Sequence, residues 1–247
     1  MLRRLTALGA QVAIAGLVAG LPSWADITPI SVPDLFYPLL TTRIDISGLM
    51  DGMSYMDIPG SPLAVSFTAP TGPPGSPAWP GMKRLTVPTT WGTWGQVPLV
   101  EPAPCVIPSL PFTCPPVLWS NGKSTVTITL GSPVAIFGFE AEPSNPEVET
   151  MTEVFFDKNN NPLGTPITRQ SSGYEGALLF AGVSSSGNDI SKVVVTDLGP
   201  DCGACDFAIA NVRFAAVPEP TYGVLLGTIL CGLGLWKRKN KGNYVSD

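Results

Sequence analysis

At 247 residues the chain could form one large domain or two small ones; its 26 glycines, 27 prolines and 13% charged residues suit many short strands joined by turns. A hydrophobic content of 44% is too high for a disordered chain and sufficient for a core. The absence of histidine removes Ser-His-Asp and Cys-His catalysis, histidine-ligated zinc and the usual acid–base group at neutral pH.

The N-terminus reads MLRRLTALGAQVAIAGLVAGLPSWAD. Arg3 and Arg4 form a basic start, Leu5 to Leu21 an apolar stretch, and Ser23-Trp24-Ala25 a small-x-small site. That layout predicts a secretory signal peptide over 1–25, with the exported chain beginning at Asp26.

Two textures divide the exported chain. Residues 59–116 hold 15 of the 27 prolines. Proline cannot donate to a sheet ladder, so long surface loops or edge segments are expected there. From Leu118 onward the chain turns regular. STVTITL alternates, with Val126, Ile128 and Leu130 on one face and threonines on the other. VAIFGFEAE, EVFFD, ALLFAGV, KVVVTDL and FAIANVRF read as further apolar strands. Asn121-Gly122 is a hairpin-turn signal. Between residues 26 and 216 nothing has a helical period. The expectation is one all-β ectodomain over 26–216, an antiparallel β-sandwich of jelly-roll type. Residues 26–220 carry 8 Lys and Arg against 18 Asp and Glu, a balance that argues against nucleic acid and anionic lipid as partners.

The C-terminus reads VPEPTYGVLLGTILCGLGLWKRKN. Residues 221–236 form an apolar run, short for a spanning helix of about 20 residues, and Lys237, Arg238 and Lys239 come directly after it. A thin membrane or snorkelling bases would make up the length. The bases would stay cytoplasmic, leaving 26–216 outside. Pro218 and Pro220 hold Glu219 in an extended segment that cannot join the helix.

Val217-Pro218-Glu219-Pro220, the apolar run and the basic end, together over 217–240, resemble a PEP-CTERM sorting signal. The resemblance implies recognition by an exosortase, a membrane protease-transpeptidase of Gram-negative bacteria that make exopolysaccharide, and removal of the tail. SPVAIFGFEAEP, FFDKNNNPLG, FAGVSSSGNDISKVVVTD and DFAIANVRF also look like the ectodomains attached to such tails. That likeness implies a lectin-like sandwich, a fold that hosts binding more often than it dictates a reaction.

Cys105, Cys114, Cys202 and Cys205 fall in the exported part, an even count that reads as disulfides with three possible connectivities. Local pairs, Cys105 with Cys114 and Cys202 with Cys205, are the expectation. Cys202-Gly-Ala-Cys205 also fits a redox C-x-x-C, but a strand succeeds it where a thioredoxin-like site needs a helix. A four-cysteine zinc site would need ligand spacing in both pairs.

Asp157 to Pro162 echoes the start of a calcium loop, yet has proline at position 6 and Thr168 at position 12. A hairpin turn explains the same residues. Asp201 and Asp206 could hold a structural calcium only by analogy with lectin-like sandwiches. Glu147, Glu149 and Glu153 invite a glycosidase reading, against a solvated strand face. Ser120-Asn-Gly-Lys123 matches S-x-x-K only by letter.

No catalytic residue, metal or cofactor is therefore assigned. The expectation is a non-catalytic protein delivered to the cell surface or exopolysaccharide matrix, membrane-anchored until processed, with a structural or adhesive role in a biofilm. Weak glycan contact would fall to Trp79, Trp91 and Trp94, whose other role would be loop packing. The alternative is a carboxylate-based glycan hydrolase or lyase at the cell surface.

Overall fold

The computed structural model describes residues 26–30, 36–71, 76–87, 94, 115–145, 147–171, 176–199 and 205–216. The expected signal peptide and sorting tail lie outside the described residues. Among those described, no helix is long and apolar enough to cross a membrane.

The described chain is all-β. In order, the elements are β1 (Ile27–Pro29), α1 (Phe36–Leu40), β2 (Thr42–Arg43), β3 (Ser54–Tyr55), β4 (Val65–Thr68), β5 (Met82–Leu85) and β6 (Val117–Trp119). The longer strands are β7 (Thr125–Val134), β8 (Ile136–Pro143), β9 (Glu149–Phe156), β10 (Pro162–Ser171), β11 (Leu178–Ser184), β12 (Ile190–Leu198) and β13 (Phe207–Ala215).

They form two antiparallel sheets. The first runs β1-β11-β8-β13-β6-β5-β3, with β2 pairing an end of β13; the second runs β10-β9-β12-β7-β4. From β6 on, the chain crosses repeatedly between sheets, so only the β9–β10 pair joins consecutive strands within one sheet. One hydrophobic cluster takes side chains from both sheets, including Phe137, Phe139, Phe180 and Phe207 from the first and Phe67, Val126, Ile128, Phe155 and Val193 from the second. The period-2 alternation of β7 accounts for this directly: Val126, Ile128 and Leu130 are buried and face that core. Stacked Phe139 and Phe180, 6.1 Å between ring centres, anchor its middle.

The first sheet is covered on both faces. Tyr37 of α1 packs on Leu179 and Ala181 behind it, while Leu85, Val87, Trp94, Val117, Ala208 and Ala210 form a second outer cluster. Burial on both sides explains why β8 and β13 read as nearly continuous apolar runs. Gly138 permits the close approach of α1. A Cβ there would lie 2.3 Å from the Ala181 Cβ and 2.5 Å from the Tyr37 hydroxyl. The second sheet buries one face only, and its other face carries threonines such as Thr127, Thr129, Thr152 and Thr168.

Three expectations need correction. Asn121 and Gly122 do take left-handed conformations, with φ of 55° and 79°. They do not close a hairpin, because β6 belongs to the first sheet and β7 to the second; the turn hands the chain across the sandwich. The proline-rich region is not loop and edge throughout: β4 is an edge strand of the second sheet, as expected, but β5 lies within the first, between β6 and β3. The helix-free reading of 26–216 misses α1, a single turn whose Tyr37 is held by packing.

Candidate functional site

The polar groups that stand out lie inside the sandwich. On β9 the buried parity comprises Glu149, Met151, Glu153 and Phe155. Thus two carboxylates share the face that carries the core. Strand pairing sets their neighbours. Asp197 of β12 stands opposite Met151, and Val195 opposite Glu153. On the other side of β9, Arg169 of β10 stands opposite Met151, and Ile167 opposite Glu153. Asp197 and Arg169 are therefore each diagonal to both glutamates, about 7–8 Å between backbones.

Glu149 and Glu153 are 0% exposed and Asp197 is 1% exposed. Burial pushes the Glu153 carboxyl well above the usual carboxylate range, only partly offset by the Arg169 charge. Neither Glu153 oxygen has a hydrogen-bond partner among the described residues. Asp197 is pushed up to about 8, first by burial and then by the neighbouring Glu149 carboxyl and the charge of Asp206; neither of its oxygens has a hydrogen-bond partner among the described residues. Glu149 Oε1 accepts from Asn145 Nδ2 at 3.1 Å. Two neighbouring carboxyls this dry disfavour carrying two charges at once.

Arg169 is half-buried at the β10 edge. Its Nη2 donates to the Ile30 carbonyl at 3.3 Å, and its guanidinium lies 5.8 Å from the centre of the Phe180 ring. Burial lowers its pKa and the Glu153 charge raises it. It thus supplies positive charge to the acid cluster from the side.

A second polar cluster sits on the opposite face of the first sheet, beneath α1. Asn211 Nδ2 donates to Glu140 Oε2 at 2.7 Å. Arg213 Nη1 donates to the carbonyls of Pro38 and Thr41 and to the Thr41 hydroxyl, each at 3.3 Å. A bulge at Asn211, φ 49°, shifts the β13 register between Ala210 and Arg213. The Tyr37 phenol is raised, chiefly by burial.

What this arrangement can do chemically is limited by access. A glycosidase needs two carboxyls flanking a sugar, and no sugar reaches groups that are 0–1% exposed. Surface cavities of about 220 Å³ beside Asp57 and Ile58, and of about 110 Å³ beside Arg43 and Ile44, include none of these acids. The reading of Glu149 and Glu153 as a solvated strand face is also corrected. Their parity matches Met151 and Phe155, and that parity was the signal. Glu147 lies before the strand and is exposed.

The tryptophan and cysteine candidates take different places. Trp94 is 1% exposed and packs with Leu85, Val87 and Val117, so its face is closed to a sugar and the glycan-contact expectation is corrected there. Trp79 is half-buried against the main core, with Nε1 donating to the Ser120 carbonyl at 3.0 Å. Trp91 lies outside the described residues. So do Cys105, Cys114, Cys202, Asp201 and the sorting residues Val217, Pro218, Glu219, Pro220, Lys237, Arg238 and Lys239. Cys205 is buried, its sulfur accepting from the Gly199 N–H at 3.1 Å.

Asp157 closes the β9–β10 turn, accepting from the Asn159 and Asn161 N–H groups at 2.8 Å and from Asn161 Nδ2 at 2.9 Å. Those bonds, led by the one from Asn161, lower its pKa. Its oxygens serve a turn. Asp206 accepts from Trp119 Nε1 at 2.7 Å and from the Ser144 hydroxyl. No group of three or more metal-ligating His, Cys, Asp or Glu residues occurs among the described residues.

No protein-family model matches the chain, and no curated protein matches it. Among solved structures it is similar to the enzymatically active domain of tailspike protein 4 of bacteriophage CBA120, at 15% identity and a TM-score of 0.29. That alignment covers 63% of this chain and 19% of the tailspike chain, and it carries no argument about function.

Proposed function

We propose that this chain is an exported, non-catalytic protein of the cell surface or exopolysaccharide matrix, sorted by an exosortase-type protease acting at its C-terminal tail. The observation that carries the reading is the ordered tail, Val217-Pro218-Glu219-Pro220, an apolar run to Trp236, then Lys237-Arg238-Lys239, on a chain that begins like a secretory precursor. Its body would have a structural or adhesive role in a biofilm, with any glycan contact weak.

The strand order supports a jelly-roll assignment for the body. Strands β6-β13-β8-β11 form one four-stranded run and β7-β12-β9-β10 the other. Two Greek keys wrapped into one sandwich would interleave eight strands in this order. The closure of Glu149, Glu153 and Asp197 supports a non-catalytic role over the hydrolase alternative, which no observation favours. Export also supports pairing Cys105 with Cys114 and Cys202 with Cys205.

Replacing Pro218, Glu219 and Pro220 together by alanine tests the sorting claim in the native organism. The expected result is retention of the variant in the membrane fraction while the unaltered protein reaches the matrix. Equal delivery of both to the matrix would overturn it.

A further inference from the structure

Methionine is usually a core residue. Among the described residues this chain divides its methionines sharply. Met82 and Met151 are 0% exposed, whereas Met50, Met53 and Met56 are 65%, 50% and 46% exposed. The exposed three form a single M-x-x-M-x-x-M stretch, MDGMSYM. From this segment we infer a site for a soft monovalent cation, cuprous copper, built from the thioethers of Met50, Met53 and Met56.

The backbone holds these residues in place. The Met53 N–H donates to the Met50 carbonyl at 3.3 Å across a turn whose third residue, Gly52, has φ 76°. Such a turn brings the Met50 and Met53 Cα atoms within about 7 Å. The Met50 N–H also donates to the Tyr55 hydroxyl at 2.9 Å, which folds the turn back toward β3. Met53 is fixed to the first sheet, its carbonyl accepting from the Arg84 N–H at 2.9 Å. Met56 is fixed to the second, its carbonyl accepting from the Phe67 N–H at 2.7 Å. The three extended residues from Met53 to Met56 span at most about 10 Å. Long, unbranched thioether side chains can reach inward across that distance.

The donor set selects the ion. Thioethers are soft, neutral ligands that favour Cu(I) over hard divalent cations. One competing hard ligand between Met50 and Met53 is engaged, since Asp51 pairs with Arg84 at 3.0 Å and accepts from the Thr86 hydroxyl. That pairing also offsets the Arg84 charge, which would otherwise repel a cation beside Met53. Packing does not account for three methionines each left 46% or more exposed in a segment whose backbone is tied to both sheets.

The test uses the full chain in non-ionic detergent, with free thiols alkylated so that cysteine cannot contribute. Anaerobic Cu(I) titration against a chromophoric chelator should show one equivalent bound. Met50→Leu, Met53→Leu and Met56→Leu should each weaken it by at least about tenfold, and the triple variant should lose it. Leucine keeps the apolar volume at an exposed site, and an unchanged thermal midpoint would verify the fold. With labelled methionine methyls and Ag(I) as a redox-inert probe, three methyl signals should move while those of Met82 and Met151 stay. Uptake unchanged in the triple variant, or absent in the unaltered protein, would overturn the site. Loss traced to only two of the methionines would overturn its three-sulfur form.

Discussion

Asp197 and Glu149 occupy diagonal positions on neighbouring antiparallel strands, both face the interior between the sheets, and burial together with the neighbouring Glu149 carboxyl pushes the Asp197 carboxyl up to about 8. In an otherwise apolar core this arrangement is tolerable only while the pair carries at most one charge. Glu153, on the same buried face of β9, adds a third carboxyl, which burial pushes well above the usual carboxylate range. The sandwich therefore contains acids whose burial links folding to pH.

The sign of that linkage is fixed. Asp197 titrates near 8 when folded and near 4 when unfolded. Between those values the folded state binds the extra proton, so stability is fully present below about pH 4 and is lost as pH rises through about 8. Glu153 acts in the same direction. The surface groups Asp45, Asp51 and Asp157, with lowered values, act oppositely only as pH falls through the ordinary carboxylate range. Urea midpoints should therefore decline from pH 5 to pH 8. A rise over that interval would contradict the buried pair.

Asp197→Asn should flatten this slope by about one proton, or about 1.4 kcal/mol per pH unit. Asparagine cannot ionise. The variant should be close to the unaltered protein at pH 5 and more stable at pH 8. Identical slopes would show that Asp197 does not hold the proton.

Arg213→Ala should loosen α1 from the first sheet. Its guanidinium is the described link from β13 to the carbonyls of Pro38 and Thr41. Losing a buried charged donor to these acceptors should cost about 2–4 kcal/mol. Hydrogen exchange should rise first at residues 37–43. Unchanged exchange there would mean that Tyr37 packing alone holds the helix.

Trp94→Ala should behave as a core mutation. The side chain is closed into the outer cluster with Leu85, Val87 and Val117. Its truncation should cost about 3–5 kcal/mol, read from the thermal midpoint. Loss of polysaccharide binding with stability intact would instead return Trp94 to the role of a sugar platform.

Much of the fold is legible in the residues from Thr125 onward, because Val126, Ile128 and Leu130 alternate with threonine and such alternation has one solution, a half-buried strand. β10 escapes the same reading. Gly164 and Pro166 interrupt it, most of it is exposed, and a register shift between Leu163 and Ile167 breaks its parity. The acid cluster is legible only if parity outranks chemistry. Glu149 and Glu153 look solvated as glutamates, while Met151 and Phe155 at the same spacing place them inside. Pairing across sheets is not local information, which is why Asn121-Gly122 resembles a hairpin turn and serves as a crossover. The tail is the reverse case, carried by residue order alone.

The central claim is that this tail is a processing signal, and the mass of the protein's C-terminal peptide tests it most directly. Protein recovered from the extracellular matrix should end near Pro218 to Pro220, with Lys237-Arg238-Lys239 absent. An intact basic end on every recovered molecule, found only with the membrane, would contradict sorting and leave a simply anchored β-sandwich.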